Sequence, residues 1–418
     1  MDERGSGELS RASEPRLWTA NYLRAWSANF MLYFSFMLLT PLFPLYLSEE
    51  FGADKDQIGM VLSGYAVTAL LIRPFSGFIV DSFPRKAVLL VCYGLFFLLF
   101  GGYLVAGSLA AFFVVRTLHG APMGATTVAN STVAIDVLHT SRRAEGIGYY
   151  GLSNNLATAI APTVGLLIYS WQANYTLLFL LAMVTAGIGL LINTTLRLRP
   201  RETVRNKQPL SLDRFLLLKG WSEGVAMTCY SFSYGVISTY LAIYGKEELG
   251  ITTGTGLFFA LLSAGLIMSR LVGARTLRQG HVTENASHGV LISMLGYLLF
   301  AAVHNPIGYY GAALIIGLGN GHMFPAFQTM FINLAPNSLR GTANGTLLTA
   351  WELGVGLGII IGGVVTEHLS YHAAFWIAWV VNALGVAFYF LYVKGHFNTN
   401  LKSATIIQYT IKGRFMSR

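Results

Sequence analysis

The chain has 418 residues, of which 54% are hydrophobic and only 11% charged, with a formal net charge of +9. A soluble domain carries about 25% charged residues, so this composition excludes an ordinary water-soluble protein and requires long segments that face no water. The two cysteines, Cys92 and Cys229, lie inside apolar stretches; they read as small core residues and say nothing about redox compartment.

In chain order, residues 1–24 are polar and mixed in charge. They lack a short apolar core followed by small residues, so no cleaved signal peptide is expected. Apolar runs of about 20 residues, each long enough to cross a bilayer, then lie near 25–47, 57–80, 87–107, 109–137, 144–170 and 173–195. A linker at 196–213, rich in Arg and containing Pro200 and Pro209, separates them from runs near 214–244, 255–274, 286–303, 307–334, 341–367 and 372–393. The expected fold class is an all-α membrane protein of about twelve transmembrane helices in two six-helix halves, 25–195 and 214–394. The tail, 395–418, is polar and basic and is expected to lie along the membrane surface.

The positive charge is a topology signal. Of the 28 Lys and Arg residues, 23 fall in the two tails, the linker and the loops on the same side. Lys55 and Lys246 fall on the other side, and Arg73, Arg116 and Arg270 lie within spans. Such asymmetry predicts cytoplasmic termini and a cytoplasmic linker, in a bacterial-type inner membrane. Because the basic residues follow the loops in this way, nucleic acid is not an expected partner.

The two halves repeat each other. At an offset of 197, Ser141 meets Ser338, Arg143 meets Arg340, Gly148 meets Gly345, Gly165 meets Gly362 and Arg73 meets Arg270. Trp26-Ser27 meets Trp221-Ser222 at 195, and Glu49-Glu50-Phe51-Gly52 meets Glu247-Glu248-Leu249-Gly250 at 198. Duplicated membrane halves are a common plan for secondary transporters, whose substrate site lies between them.

After the second run comes Gly77, then Asp81, then Arg85-Lys86. A glycine permits close helix contact, and the carboxylate suits the positive N-terminal end of a neighbouring helix. The string resembles the loop motif of the major facilitator superfamily, roughly G-x-x-x-D-x-x-x-R-K, and with the twelve spans and duplicated halves the resemblance covers about residues 20–394. It implies a latch made of Gly77, Asp81, Arg85, Lys86 and Asp136, with Asp81 facing the start of span eleven near Gly341 and Arg85 paired with Asp136 at the end of span four. The bland alternative is a solvated cluster that only fixes topology. In the second half the motif is degenerate: Arg278 stands where Asp81 would be.

Span four holds Arg116-Thr117-Leu118-His119-Gly120, similar to the family's intramembrane-arginine motif. At 1.5 Å per residue Arg116 lies about 10 Å from the non-basic end. An arginine there is costly and marks a functional site by default, for proton coupling or gating; snorkelling or bracing of neighbouring spans is the alternative. Span five carries Pro162 and Gly165 in a stretch resembling the antiporter motif of drug exporters, with Ala161 in place of one glycine and Leu166 in place of another. Both residues are expected at a packed, slightly flexible helix contact.

Glu352 lies twelve residues past Arg340, about 18 Å into a core roughly 30 Å thick. Desolvation disfavours a charged carboxylate, so Glu352 is the leading candidate for proton exchange or substrate contact, with a packed structural acid as the alternative. Its counterpart is the neutral Asn155, and the shallower Glu223 is a competing acid. Asn29, Tyr33, Tyr230, Tyr234 and Gln328 are candidate cavity residues.

There is no phosphate-binding glycine loop followed by Lys, no catalytic constellation and no metal-ligand cluster, the nine histidines being scattered. No cofactor or metal is expected, and the chain is not expected to be an enzyme. The resemblance implies a proton-driven exporter of small amphipathic organic molecules, working as a monomer by alternating access, with substrate, protons and the lipid bilayer as its partners. Transport of a specific metabolite such as a sugar, opine or siderophore is the alternative within the class. A membrane sensor is the alternative outside it.

Overall fold

The computed structural model describes residues 15–40, 42–53, 55–172, 174–198, 215–251 and 255–401. Most of the expected linker and most of both tails lie outside them. Helices α1 (Ala20–Leu39), α2 (Phe43–Phe51), α3 (Lys55–Ser82), α4 (Arg85–Val105), α5 (Leu109–Val137), α6 (Arg143–Gln172) and α7 (Tyr175–Thr194) form the first half. Helices α8 (Trp221–Glu247), α9 (Thr255–Arg278), α10 (Val282–Ala302), α11 (Pro306–Leu334), α12 (Arg340–His368) and α13 (Tyr371–Phe388) form the second.

The run expected at 25–47 is two helices rather than one, α1 ending at Leu39 and α2 beginning at Phe43, with Pro44 in the first turn of α2. A proline fits a first turn, where its missing N–H is no loss. At the other end, the expected boundary at 394 is not a helix end. A π-turn at Tyr389–Val393 leads into helix that runs to Leu401, because Val393 and Phe397 still bury their side chains against the second half.

Polar caps set the turns on the side away from the termini. Ser108, Asn174, Asn305 and Ser370 each accept a hydrogen bond from the third residue onward, starting α5, α7, α11 and α13; such caps satisfy amide donors that the helix itself cannot. The duplication extends to these turns. Gly52 and Gly250 both adopt left-handed backbone, φ 63° and 66°, at equivalent positions, which a residue without Cβ does at little cost. Beside them Glu49 accepts from the hydroxyls of Tyr169 and Tyr175, and its counterpart Glu247 accepts from Tyr371.

Among the described residues, eight helices are long and apolar enough to cross a membrane. The other four long helices are α1, α5, α8 and α11, which occupy the equivalent first and fourth spans of the two halves. They are less apolar because protein rather than lipid surrounds much of them. Polar residues such as Asn29, Asn130, Ser222 and Gln328 are buried along them, where neighbouring helices meet their hydrogen bonds. The halves join along two seams, α3 against α12 and α6 against α9.

Candidate functional site

The polar groups that join the halves are arranged in layers along the α3–α12 seam, starting at the basic side. At the first layer α3 and α12 nearly touch. A Cβ added to Gly77 would lie 2.8 Å from the Gly341 carbonyl oxygen, and one added to Gly341 would lie 2.7 Å from the Gly77 oxygen. This approach brings Asp81 onto the start of α12. Its carboxylate accepts from the Gly341 amide at 3.0 Å, the Thr342 amide at 2.7 Å and the Thr342 hydroxyl at 3.0 Å. A carboxylate is well placed there, since first-turn amides have no intrahelical acceptor and carry the positive end of the helix dipole.

Arg85 donates to Asp81 at 2.8 Å and also to Asp136. From the other half, Arg340 donates to Asp136 at 2.9 Å and to Asn337 at 2.5 Å. The cluster alternates in sign, two acids and two arginines, and crosses the interface through Asp81, Arg85 and Asp136 alike. Lys86 is not part of it. Its ammonium donates to the Thr194 and Leu196 carbonyls at 2.7 and 2.8 Å and so caps the end of α7 within the first half.

About 6 Å deeper at 1.5 Å per residue, Asn344 of α12 donates to Ser131 of α5 and accepts from Gln328 at 2.8 Å. Deeper again lies an ion pair that sequence reasoning named only in part. Glu352 Oε1 is 2.7 Å from Arg73 Nη2, across the interface, and Arg73 Nη1 donates to Thr127 at 3.1 Å. The Arg73 side chain is 8% exposed and that of Glu352 31%, so the acid is the more open member of the pair. Arg73 was visible as a charged residue within a span, a functional mark in its own right, but its partner is 279 positions away.

Around the pair stand Tyr33 and Tyr65, both within electrostatic reach of Arg73 and Glu352. Tyr65 also faces the fourth layer. Arg116 places its guanidinium 4.3 Å from the Tyr65 ring centre, 4.5 Å from Phe43 and 5.3 Å from Phe36. A desolvated cation–π contact contributes about 2 kcal/mol, which offsets part of the cost of burying this charge. Arg116 Nε and Nη1 have no hydrogen-bond partner. One turn along, the Tyr103 hydroxyl meets Nδ1 of the buried His119 at 2.9 Å.

The other sequence candidates are distributed as follows. Tyr234 stands beside Trp351, ring centres 5.5 Å apart. Asn29 bonds Ser153 and Asn130 inside the first half. Tyr230 is not a cavity wall: it is 1% exposed and donates to the Gly385 carbonyl, binding α8 to α13. Glu223 is fully buried at the basic end of α8 with Ser222 and His396, away from the Arg73–Glu352 layer. Gly165 lets α6 press on α1, where a Cβ would lie 2.4 Å from the Leu38 oxygen, and Pro162 lies three residues earlier inside α6.

The α6–α9 seam is not a copy of this arrangement. Asn155 replaces Glu352, so Arg270, the counterpart of Arg73, has no acid there. It donates instead to the Gly148 carbonyl at 3.1 Å, and Asn155 Nδ2 has no partner. Among the described residues, the acids bonded across the interface therefore lie on one seam.

A family model described as Major Facilitator Superfamily matches residues 25–354 and 286–408. The staphylopine export protein of Staphylococcus aureus (strain Mu50 / ATCC 700699) is 23% identical over 376 residues, covering 84% of this chain and 90% of that protein. The uncharacterized MFS-type transporter YhhS of Escherichia coli (strain K12) is 24% identical over 346 residues, covering 80% and 83%. Among solved structures, the human organic anion transporter MFSD10 superposes with a TM-score of 0.78 at 17% identity, over 90% of this chain and 100% of that one. FucP in the outward conformation superposes with a TM-score of 0.74 at 16% identity, over 89% and 98%.

Proposed function

This chain belongs to the Major Facilitator Superfamily and is a multi-pass membrane transport protein for small molecules; from that premise we propose that it is a proton-driven exporter of a small amphipathic organic molecule. The termini and linker lie in the cytoplasm, and the two halves rock about the layer of Arg73, Glu352, Tyr33, Tyr65 and Arg116.

The observation that carries this reading is the Arg73–Glu352 pair. An ion pair between the halves couples the charge on one carboxylate to their apposition. With Glu352 ionised, the pair and the Asp81–α12 contact hold the cytoplasmic side shut. Protonation of Glu352 from the water it reaches removes the attraction and leaves Arg73 buried and uncompensated. Loss of one partner of a buried pair destabilises by about 3–5 kcal/mol, enough to favour the state in which the halves separate there. The Asp81, Arg85, Asp136 and Arg340 cluster is the latch that this step opens. Aromatic residues at the same level, with the unpartnered Arg116 donors, offer an apolar wall and a polar hold.

Export rather than uptake is supported by the relative that is named for export and by the α6 segment around Pro162 and Gly165. The same relative, named for staphylopine export, favours a second reading in which the cargo is one specific metabolite. The test is transport into inverted vesicles under an imposed pH gradient, against a mixed panel of drugs and metabolites. Accumulation that needs the gradient and follows one compound supports the second reading. Accumulation of many amphipathic compounds supports the first, and none at all, with the protein folded, defeats both.

A further inference from the structure

Beyond α13 the chain continues on the basic side. The π-turn at Tyr389–Val393 leads into a further helix at 394–401. Its Phe397, 2% exposed, belongs to the same buried apolar cluster as Ile135 and Ile147 of the first half and Met330 and Phe331 of the second. With Asn398 and Leu401 it lines a cavity of about 300 Å³ whose wall also holds Arg143 of α6 and Arg278 of α9. The helix therefore lies across the basic end of the α6–α9 seam. Its start is built to hinge. The π-turn departs from regular helix, and Gly395, with open space where a Cβ would stand, weakens a helix that contains it.

A polar contact joins this helix to α8. Glu223, whose side chain is fully buried, faces His396, whose side chain is 17% exposed. Ser222 Oγ donates to Glu223 Oε2 at 2.9 Å. Its single proton is thereby used, so His396 Nδ1 faces two acceptors, Ser222 Oγ at 3.1 Å and Glu223 Oε1 at 3.3 Å. Nδ1 therefore carries the hydrogen. The imidazole stacks on Tyr392, ring centres 5.7 Å apart, and Tyr392 stands 5.4 Å from Trp221. Among the described residues, the other charged and titratable groups of this corner are engaged or exposed. Tyr389, within electrostatic reach of Glu223, donates to the Thr283 carbonyl of α10 at 2.8 Å. Lys219 is exposed, Lys394 lies 5.8 Å from the Phe390 ring centre, and Glu284 is engaged with His281 at 3.1 Å.

We infer that the helix at 394–401 is a proton-dependent strap over the α6–α9 seam: docked, Glu223 and His396 hold one proton between them, and lifted, they release it to water. A fully buried carboxylate is costly unless it is paired with a cation or protonated. The docked pair meets this need as carboxylate with imidazolium or as carboxylic acid with neutral imidazole, and both forms hold one proton. Lifting the helix hydrates both groups. Above about pH 6.5 a solvated histidine is neutral and a solvated carboxylate ionised, so the lifted pair holds no such proton. Docking therefore takes up a proton in that range. It is strongest at lower pH and weakens as pH rises, by up to about tenfold per pH unit. The consequence for transport rests on the proposed rocking of the halves: the docked strap opposes separation of α6 from α9 on the basic side.

The test uses the full-length protein in detergent, with Cys92 and Cys229 replaced by Ser and spin labels on Asn398→Cys of the helix and Gln279→Cys just past α9. Distances between the labels are read by electron paramagnetic resonance from about pH 6.5 to 8.5. A short, docked distance should dominate at the lower end and lose population several-fold to longer ones at the upper end. Glu223→Gln removes the charge that calls for the proton and should flatten the profile. His396→Gln leaves the acid without its cation and should lower the docked population throughout. A second label pair, Ser141→Cys with Gln279→Cys across the seam, should gain longer distances over the same range. The inference is overturned if the docked population does not change with pH, if Glu223→Gln titrates like its parent, if His396→Gln docks as fully, or if the seam distance stays fixed while the helix lifts. The first pair reports on the helix alone, so its failure leaves the rocking of the halves standing, and a failure of transport leaves its readout unchanged.

Discussion

Arg73 and Glu352, 279 positions apart in the chain, meet at 2.7 Å across the interface between the halves. Each is a costly residue within a span, and each answers the other's charge. Their counterparts at the second seam, Arg270 and Asn155, form no such pair, and Arg270 bonds the Gly148 carbonyl instead.

Glu352→Gln should abolish accumulation driven by a pH gradient while leaving downhill exchange measurable, because the amide keeps the shape but cannot take and release the proton. Glu223→Gln, remote from the pair, should retain coupled transport. Assay of both in the same vesicles decides the matter; normal coupling in Glu352→Gln would remove it as the coupling acid.

Arg73→Gln and Glu352→Gln should be strongly non-additive. Glu352→Gln leaves the buried Arg73 charge alone, at a cost of about 3–5 kcal/mol, whereas Arg73→Gln leaves a half-buried acid and the double variant leaves neither. The double variant should therefore be more stable to heat than Glu352→Gln, with coupling still absent. Additive losses in thermal unfolding would show that the two residues act independently.

Asp81→Asn should open the basic side. It removes charge-assisted hydrogen bonds to the start of α12, each contributing about 1.5–3 kcal/mol. A factor of ten in population corresponds to about 1.4 kcal/mol. Labelling of a cysteine placed at Ser131 should rise at least roughly tenfold by that measure. Gly77→Val should act the same way by pushing the α12 backbone away. Unchanged labelling in both variants would reduce the cluster to a marker of topology.

Reporter fusions after residues 52, 205 and 410 test the orientation. Positions 205 and 410 should report cytoplasmic and position 52 external, as the distribution of Lys and Arg requires.

Glu49 sets a pH dependence on the opposite side. Hydrogen bonds from Tyr175 and Tyr169 hold its carboxyl below its ordinary 4.5. A folded-state value below the unfolded one adds stability above the unfolded value, and that increment is lost as pH falls through the folded one. The difference in Tm between wild type and Glu49→Gln should therefore be present at neutral pH and shrink below about pH 4.5. A constant difference across that range would mean that Glu49 acts by shape alone.

Much of this was legible in the sequence because it rests on local chemistry. Long apolar runs must become helices in lipid, since every backbone amide there needs an internal partner. The repeat at 197 exposed the two halves, and the Gly77–Asp81–Arg85 string marked the seam that carries the acids. The division of the first run into α1 and α2 and the continuation of the last helix to Leu401 were not legible, because they depend on what the flanking side chains pack against. Only the tertiary structure decided which charges meet. It gave Glu352 the partner Arg73, withdrew Lys86 to the end of α7, buried Tyr230 and Glu223 away from the central layer, and left Arg143 and Arg278 around a cavity. A residue's type fixes the cost of burying it, but the group that meets that cost comes from another helix, at a distance in sequence that no local pattern encodes.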